Sequence, residues 1–509
     1  MKLTTNMLAL KNHIVNEFEQ SFTQLITESS DFNSETCSAQ LISGVTQCID
    51  QATKEAARHG LQSFIQSFED HQETRPKTLG VNGSQYRFNK TSTNTFLTLF
   101  GPINIERAIY YPVQNDGKTA AYVPLDAAWA MSGRTVTPEV VEPILYASAS
   151  MENREISQLL DMLKRFSLST SAIYKIRLDH GLRIDQMVRS EEGLQARLEH
   201  LEVPDQTEAF VVGMDGANLP LREPGPKRGR PQERPKSNKN SSKSMRKQGA
   251  APEPTSKESC YKNAMVGSFS LYASNSVIDI ATGKETTVAT RLNSIYTAQM
   301  PQERFPDFKK EFESTMHVIE QRLLPGVKKI LLLDGGRPLW GYLSDRAERF
   351  KDYEKLLDYF HVGEHLSKAS EAIFGKKSAA GITWYSKWCS QLKNEVNGVQ
   401  RLIRSLRYYS RKTKLSQVRQ KELDQQVGYF TRNAQWMNYA DFVARNLPIG
   451  SGPTEAACKT IVKERMCRSG MRWDRQKGKA VLTLRTITKS GQWDQVWKSY
   501  YDQCWNNAA

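Results

Sequence analysis

The sequence predicts a multidomain α/β protein, and three observations carry that prediction. At 509 residues the chain exceeds one ordinary domain and suggests about three or four. Two apolar runs, Ala209 to Gly216 (AFVVGMDG) and Lys329 to Gly336 (KILLLDGG), read as buried strands that each end in Asp-Gly. Long stretches of helical period lie before, between and after them. Hydrophobic residues make up 39% and charged residues 25%, enough apolar matter to bury a core. The 70 Lys+Arg against 55 Asp+Glu leave a net +15 and a pI near 9.3, which points to a polyanionic partner, nucleic acid ahead of a membrane surface. Mean hydropathy is −0.57 and no 18 apolar residues run together, so no membrane span is expected. The first twenty residues lack a continuous apolar run, so no secretory signal is expected. Seven scattered cysteines without a CxxC fit neither a disulfide framework nor a zinc knuckle.

Residues 1–75 read as a helical N-terminal region, with Leu8, Ile14, Phe18 and Phe22 at helical spacing and a break at Ser29 to Ser34. A packing or oligomer-forming helical pair accounts for it. Residues 76–130 form a small β module: FLTLFGPINIERAIYY is rich in β-formers, Gly101-Pro102 marks a hairpin, and Tyr110 and Tyr111 are read as packing residues.

Residues 131–203 read as a helix-turn-helix region. A Thr-Pro start opens one helix, NREISQLLDMLKRF supplies the second, SLS breaks the chain, and a third runs to Gly181. As a recognition helix the third would offer Ser171, Tyr174, Lys175 and Arg177 to the major groove. Any three-helix packing unit has the same spacing, so that alternative stands beside it.

Residues 204–362 are the first part of the core, interrupted by a basic linker at 223–258. Positions 221–258 hold 11 Lys+Arg against 4 Glu and almost no apolar side chain, a composition that cannot fold alone. Within it, Lys227-Arg228-Gly229-Arg230-Pro231 resembles an AT-hook, whose extended Arg-Gly-Arg suits the floor of a narrow A·T minor groove. A solvated basic loop that touches phosphates without preference is the equal alternative.

The core's strands follow in order: 209–215, 263–272 and 276–280, then a crossover helix in MPQERFPDFKKEFESTMHVIEQRLL, then the strand ending at Asp334. Three strands, a helix and a strand, with Asp on the first and fourth strands, is the order of an RNase H-like fold. Leu356 to Phe360 supplies a fifth strand, 363–447 a helical insertion, and 448–509 the last helices and C-terminal tail. There Ile449 to Glu455 (IGSGPTE) is a Gly-rich loop with Pro453 suited to a helix start and Glu455 in the first turn. Asp215, Asp334 and Glu455 are therefore the candidate catalytic and metal-binding acids. Three carboxylates without countercharges repel unless divalent cations neutralise them, and two Mg (or Mn) ions suit phosphodiester chemistry.

The chain resembles the DDE transposases of bacterial insertion sequences, of the ISKra type. The resemblance rests on MDGANL at Asp215, LLLDGGRPLW at Asp334, LLDYFHVGEHLSKA at 356–369, TFLTLFGPINIERAIYYP upstream, and above all PIGSGPTEAACKTIVKERMCRSGMRW at 448–473. It implies that Asp215, Asp334 and Glu455 hold the metals, and that transposon ends are cleaved and joined to target DNA. Double-stranded DNA is thus the implied partner, a homodimer or larger the implied assembly, and a bacterial cytoplasm, at the nucleoid, the implied location. Where many relatives carry a Cys pair after the Tyr-Tyr, this chain has Pro112, Val113, Gln114 and Asn115, so no zinc is expected.

His361, Glu364 and His365 spell H-x-x-E-H, which is also an inverted zinc-peptidase motif, but no third ligand is evident. His361 just past the fifth strand is read as an active-site contact, with a structural role as the alternative. Lys459 and Lys463 follow Glu455 at i+4 and i+8 and are read as DNA contacts, with Arg465, Arg468 and Arg472 along the backbone. The rival to the transposase reading is a non-catalytic DNA-binding protein derived from one; a zinc peptidase ranks below it.

Overall fold

A computed structural model describes residues 5–28, 38–70, 75–114, 120–164, 166–199, 201–222, 261–278, 283 and 285–506. The AT-hook-like Arg228, Gly229 and Arg230 lie outside the described residues. The chain divides into two compact units, residues 1–196 with 493–509, and residues 197–492. Residues 493–509 thus fall in the first unit, whereas the reading from sequence grouped them with 448–492. Among the described residues no helix is long and apolar enough to cross a membrane.

In the first unit, α1 (Thr5–Glu28) and α2 (Ala39–Asp70) pair as a helical hairpin. The strands β1 (Thr78–Val81), β2 (Ser84–Thr98) and β3 (Gly101–Pro112) form an antiparallel meander. Thr98 pairs with Gly101 across a two-residue turn, and Gly101 takes φ +108°, a conformation that glycine adopts without strain. Tyr110 is fully buried, but its neighbour Tyr111 points the other way and is 47% exposed, as strand alternation requires. Phe96, Ile103 and Ile105 of the meander pack with Ile65 of α2, with Leu125 of the short α3 (Pro124–Ala128) and with Met131.

Three helices follow. Pro138 opens α4 (Pro138–Ser148), the Glu155 carboxylate accepts the Glu152 N–H at 2.6 Å to start α5 (Asn153–Met162), and Ser169 caps α6 (Thr170–Arg189) by accepting from the Ala172 N–H. The third helix was expected to stop at Gly181, yet it runs two turns further. Gly181 is buried, and the apolar phase Ile173, Ile176, Ile184, Val188 continues through it. A mid-helix glycine costs about 1 kcal/mol, less than burying Ile184 and Val188 returns. The division between units falls within α7 (Glu191–Leu198).

The second unit is built on a mixed five-stranded sheet. Its strands are β4 (Ala209–Pro220), β5 (Tyr261–Ile278), β6 (Glu285–Gln299), β7 (Lys328–Leu333) and β8 (Glu354–Leu357), in the spatial order β6-β5-β4-β7-β8. The first three are antiparallel neighbours; β4–β7 and β7–β8 are parallel. The crossover between β6 and β7 is α8 (Pro306–Glu320). The expected strand 263–272 and residues 276–278 of the second expected strand lie in one continuous strand, in which a register shift at Leu271/Tyr272 absorbs the irregularity that looked like a turn; residues 279–280 lie outside the described residues. The third strand of the meander is instead β6, whose polar first half hides it from an apolar-run search.

After β7 comes α9 (Arg337–Asp345). Beyond β8 lie α10 (Tyr359–Phe374), α11 (Ala379–Asn394), α12 (Gly398–Lys412), α13 (Gln417–Asn433) and α14 (Tyr439–Ala444). The fifth strand stops at Leu357, not Phe360, because Asp358 caps α10 and turns the chain. One last run of helix returns to the sheet as α15 (Gly452–Ala457), a π-helical turn (Cys458–Lys463) and α16 (Glu464–Met466), followed by α17 (Arg475–Lys489). Ala457, Cys458, Ile461, Val462 and Met466 pack with Ala217, Leu219, Val266 and Leu482 in one apolar cluster.

Candidate active site

The strand register places the first two acids. β4 and β7 run parallel with Val212 opposite Leu331, and Asp215 and Asp334 each lie three residues further on. Equal offsets on adjacent parallel strands bring both acids to one level, at the C-terminal end of β7; β4 does not stop at residue 215 as expected but runs on to Pro220, paired with β5. Their electrostatics agree. Burial pushes the Asp215 carboxyl above its usual range, with the negative charge of Asp334 adding to it, while the Gly216 N–H, the Cys458 thiol and the Lys463 ammonium act the other way. The Gly216 N–H donates to Asp215 Oδ1 at 2.6 Å, and Cys458 Sγ sits 3.6 Å from Asp215 Oδ2.

Glu455 comes to this region through its neighbour. Thr454 is buried and shares a 2.6 Å hydrogen bond with the buried Ser268 of β5. Gly213 makes room: a Cβ there would lie 2.1 Å from Thr454 Oγ1. The first turn of α15 is thereby pinned against β4 and β5, two residues from Asp215, and the Glu455 side chain is exposed. Among the described residues no three His, Cys, Asp or Glu side chains are close enough together to hold one metal ion. The structure brings Asp215 and Asp334 into electrostatic contact and sets Glu455 on a helix beside them, without closing the three acids into one cluster.

A third acid at the same sheet end, Asp358, has a structural task. Its Oδ1 accepts the His361 N–H at 2.6 Å and its Oδ2 accepts the Ser451 N–H, which ties the Gly-rich loop before α15 to the start of α10. The Tyr359 N–H also donates to Ile449 O. On the other side, Asp334 is braced by the loop that follows it. The Gly336 N–H donates to its carboxylate at 3.0 Å, and the Trp340 indole N–H donates to its carbonyl at 2.7 Å. Trp340 stacks on Trp436 at 4.0 Å between ring centroids, so this pair packs in the protein.

Tyr429 of α13 lies against Gly335, where a Cβ would come within 2.9 Å of its ring. Burial, then the charges of Asp334, Asp358 and Glu364, push its phenol pKa up, so it stays a neutral phenol. The His365 ring stacks on it at 3.5 Å, its Nδ1 2.7 Å from Gln426 Oε1, and burial holds the His365 pKa below the ordinary value. His361 occupies the first turn of α10, edge-on to His365 at 5.2 Å and 3.8 Å from Glu364. Of the H-x-x-E-H residues, His365 thus meets a tyrosine and a glutamine, and His361 faces His365 and Glu364.

The cations expected to meet DNA divide sharply. Lys459, Lys463 and Lys175 are exposed, and Tyr174 is half-buried. Lys463 lies within electrostatic reach of Asp215. Arg465 was expected along a phosphate backbone, but it is 2% exposed, over the Trp473 ring at 5.5 Å, because position 465 falls in the buried phase of Ile461, Val462 and Met466. Arg177 was expected on the outer face of its helix. It is 7% exposed, stacks on Tyr174 and donates to Asn153 Oδ1 at 2.6 Å, since it follows Ile173 by four residues.

Reading from sequence alone missed Gly213, Ser268 and Thr454, the contact that seats Glu455. A glycine inside an otherwise apolar strand was the available signal, since it marks close approach of another element. Asp358 and Tyr429 gave no comparable signal.

No family model matches the chain, and no curated protein matches it. Among solved structures it is similar to the Drosophila P element transposase strand transfer complex, at 10% identity over 77% of this chain and 83% of that chain, with a TM-score of 0.22. A likeness at that level carries no argument about fold or function.

Proposed function

We propose that this protein is a DDE-type transposase: a metal-dependent enzyme with an RNase H-like core that binds the terminal inverted repeats of an insertion sequence, cleaves DNA there and transfers the freed strand. The observation that carries the reading is the placement of Asp215 and Asp334 at equal offsets on adjacent parallel strands, with Glu455 on a helix seated against the first of them. The strand order β6-β5-β4-β7-β8, with three antiparallel and two parallel members, supports the RNase H-like reading. The sequence resemblance around the three acids supports the reaction class.

The donor chemistry fits a hard divalent cation, because carboxylate oxygens are the ligands Mg and Mn prefer. Asp215 and Asp334 repel each other across a partly buried gap, which is the condition such a cation relieves. Asp215, Asp334 and Glu455 would hold the ions; bound there, two cations supply activation of the attacking oxygen and stabilisation of the leaving oxygen. The chain's own residues prepare the site. Gly216 and Gly336 fix the carboxylate rotamers through their N–H groups, Trp340 anchors the Asp334 backbone, and Thr454 with Ser268 sets the height of Glu455. Lys459 and Lys463, exposed on the same helical run, supply positive charge for the phosphate backbone. A dimer or larger assembly pairs two DNA ends.

The test is nicking of a labelled duplex carrying the element's end, with Mg or Mn and then with EDTA, for wild type and Asp334→Asn. Cleavage at the element boundary should need the metal and should fall by at least about 10²–10³-fold in the variant, the usual cost of removing one electrostatic stabiliser, while gel-shift binding survives. Binding without cleavage by wild type on paired ends returns the protein to a non-catalytic DNA-binding role.

A further inference from the structure

The helical segment between β8 and the Gly-rich loop holds a concentration of charge that the active site does not use. Residues 376–421 contain twelve Lys+Arg and one Glu, a local +11 in a chain whose whole net charge is +15. All of these residues are described, and every one of the twelve cations except Arg419 is exposed. Arg419 turns inward to donate to the Ala372 and Ile373 carbonyls at the end of α10.

The charge is ordered along α12. Gly398, Val399, Leu402, Ile403 and Leu406 are its buried residues, and the helix packs on α11 and α13 through them. A period of 3.6 places Arg401, Arg404, Tyr408, Arg411 and Lys412 on the opposite side. From Arg401 to Arg411 this stripe is about 15 Å long at 1.5 Å per residue. Arg401 pairs with Glu395, whereas Arg404, Arg411 and Lys412 have no carboxylate partner among the described residues. Tyr408, 60% exposed, stands in the middle of the stripe.

Like charges in one row repel, and a protein keeps such a row only where it costs little or serves a counter-charge. The neighbouring carboxylates do not supply one. A polyanion with charges at short, regular intervals does, and duplex DNA carries one per about 1.7 Å of its axis. A membrane surface fits less well. An interfacial helix puts its apolar face into the lipid, and here the apolar face of α12 is already buried in the bundle.

We propose that the exposed face of α12, centred on Arg404, Arg411 and Lys412, is a sequence-independent docking surface for the phosphate backbone of double-stranded DNA. The inference rests on the reading of the chain as a DNA-processing enzyme and adds to it a second contact outside the acid-bearing sheet end. Tyr408 packs its ring on the sugar-phosphate edge, and the arginines span successive phosphates. The contact adds affinity and no sequence preference.

The test is the salt dependence of binding of the full-length chain to a random-sequence duplex, read by fluorescence anisotropy. Wild type is compared with the triple variant Arg404→Gln, Arg411→Gln, Lys412→Gln, and with a control that removes three exposed lysines elsewhere, Lys310→Gln, Lys328→Gln and Lys498→Gln. Each lost phosphate contact lowers the slope of log K against log salt by about 0.9, so the α12 variant should lose about 2 to 3 in slope. The control should lose less than about 1 by the same rule. Equal slopes for wild type and the α12 variant overturn the proposal, as does tighter binding of wild type to anionic vesicles than to DNA. A wild type that binds duplex, shows the slope change and yet never nicks its own end leaves the docking surface standing and removes the transposase reading. A wild type that binds no duplex at all overturns both.

Discussion

Helices α6 and α12 carry similar numbers of cations and dispose them in opposite ways. In α6, Lys175 and Arg183 face outward, but Arg177 lies inside, on Tyr174 and Asn153, next to the equally buried His180 and Asp185. In α12, Arg401, Arg404, Arg407, Arg411 and Lys412 are all exposed, while Gly398, Val399, Leu402, Ile403 and Leu406 are buried and Tyr409 packs on Phe374 and Trp384. The difference is one of phase. Arg177 follows Ile173 by four and precedes Ile184 by seven, so the helical period carries it to the apolar side; the cations of α12 fall out of phase with its buried positions. A basic helix is therefore a DNA-facing helix only if its charges are out of register with its apolar stripe. Polar groups that enter the core must find partners there, and in α6 they do.

The largest expected effect that sharpens this contrast concerns His180. It is buried, 2.8 Å from the Tyr500 hydroxyl and stacked near Trp505, and burial holds its pKa down to about 4. The unfolded chain releases this proton near 6.5. Because protonation favours the unfolded state, the stability from neutral His180 is complete above about pH 6.5 and is lost as pH falls toward about 4, by about 3 kcal/mol in all. Thermal melts between pH 7.5 and 4.5 should show this loss in wild type and a flatter curve in His180→Gln. Glu69 and Asp126, whose pKa values burial raises in the same unit, pull the other way and are common to both proteins. Identical pH profiles would show that the inside of α6 is wet.

Arg177→Ala comes next. It removes a buried hydrogen bond to Asn153 and leaves that amide short of a partner, so stability should fall by about 1–3 kcal/mol, measurable by urea denaturation. Were the variant fully stable and defective only in DNA binding, Arg177 would belong with the α12 cations and the contrast would collapse. The smallest effect is that of Arg404→Ala, whose side chain is exposed; its stability should stay within about 0.5 kcal/mol of wild type, while its salt slope drops.

Parts of this were legible in the sequence for local reasons. An apolar run ending in Asp-Gly is a strong local signal for a buried strand, and Asp334 lies just past the end of β7 where that pattern puts it; Asp215 instead falls inside β4, which runs on to Pro220 because it stays paired with β5. Pro138 and Ser169 likewise announce helix starts through groups that act within one turn. Strand β6 was not legible, because its first half is polar and only its pairing with β5 makes it a strand. Asp358 looked like any strand-end acid; it becomes a brace because Ser451, 93 residues away, returns to it.

The sequence by itself determined the two apolar strands that carry Asp215 and Asp334, several helix starts and the excess of positive charge, since each depends on neighbours within a few residues. The tertiary structure decided the rest: that Thr454 meets Ser268 over Gly213, that Arg177 and Arg465 turn inward, and that the charge of residues 376–421 lies outward. These outcomes depend on which faces find each other across the fold, and a side chain is buried or free only after the partner surface has arrived.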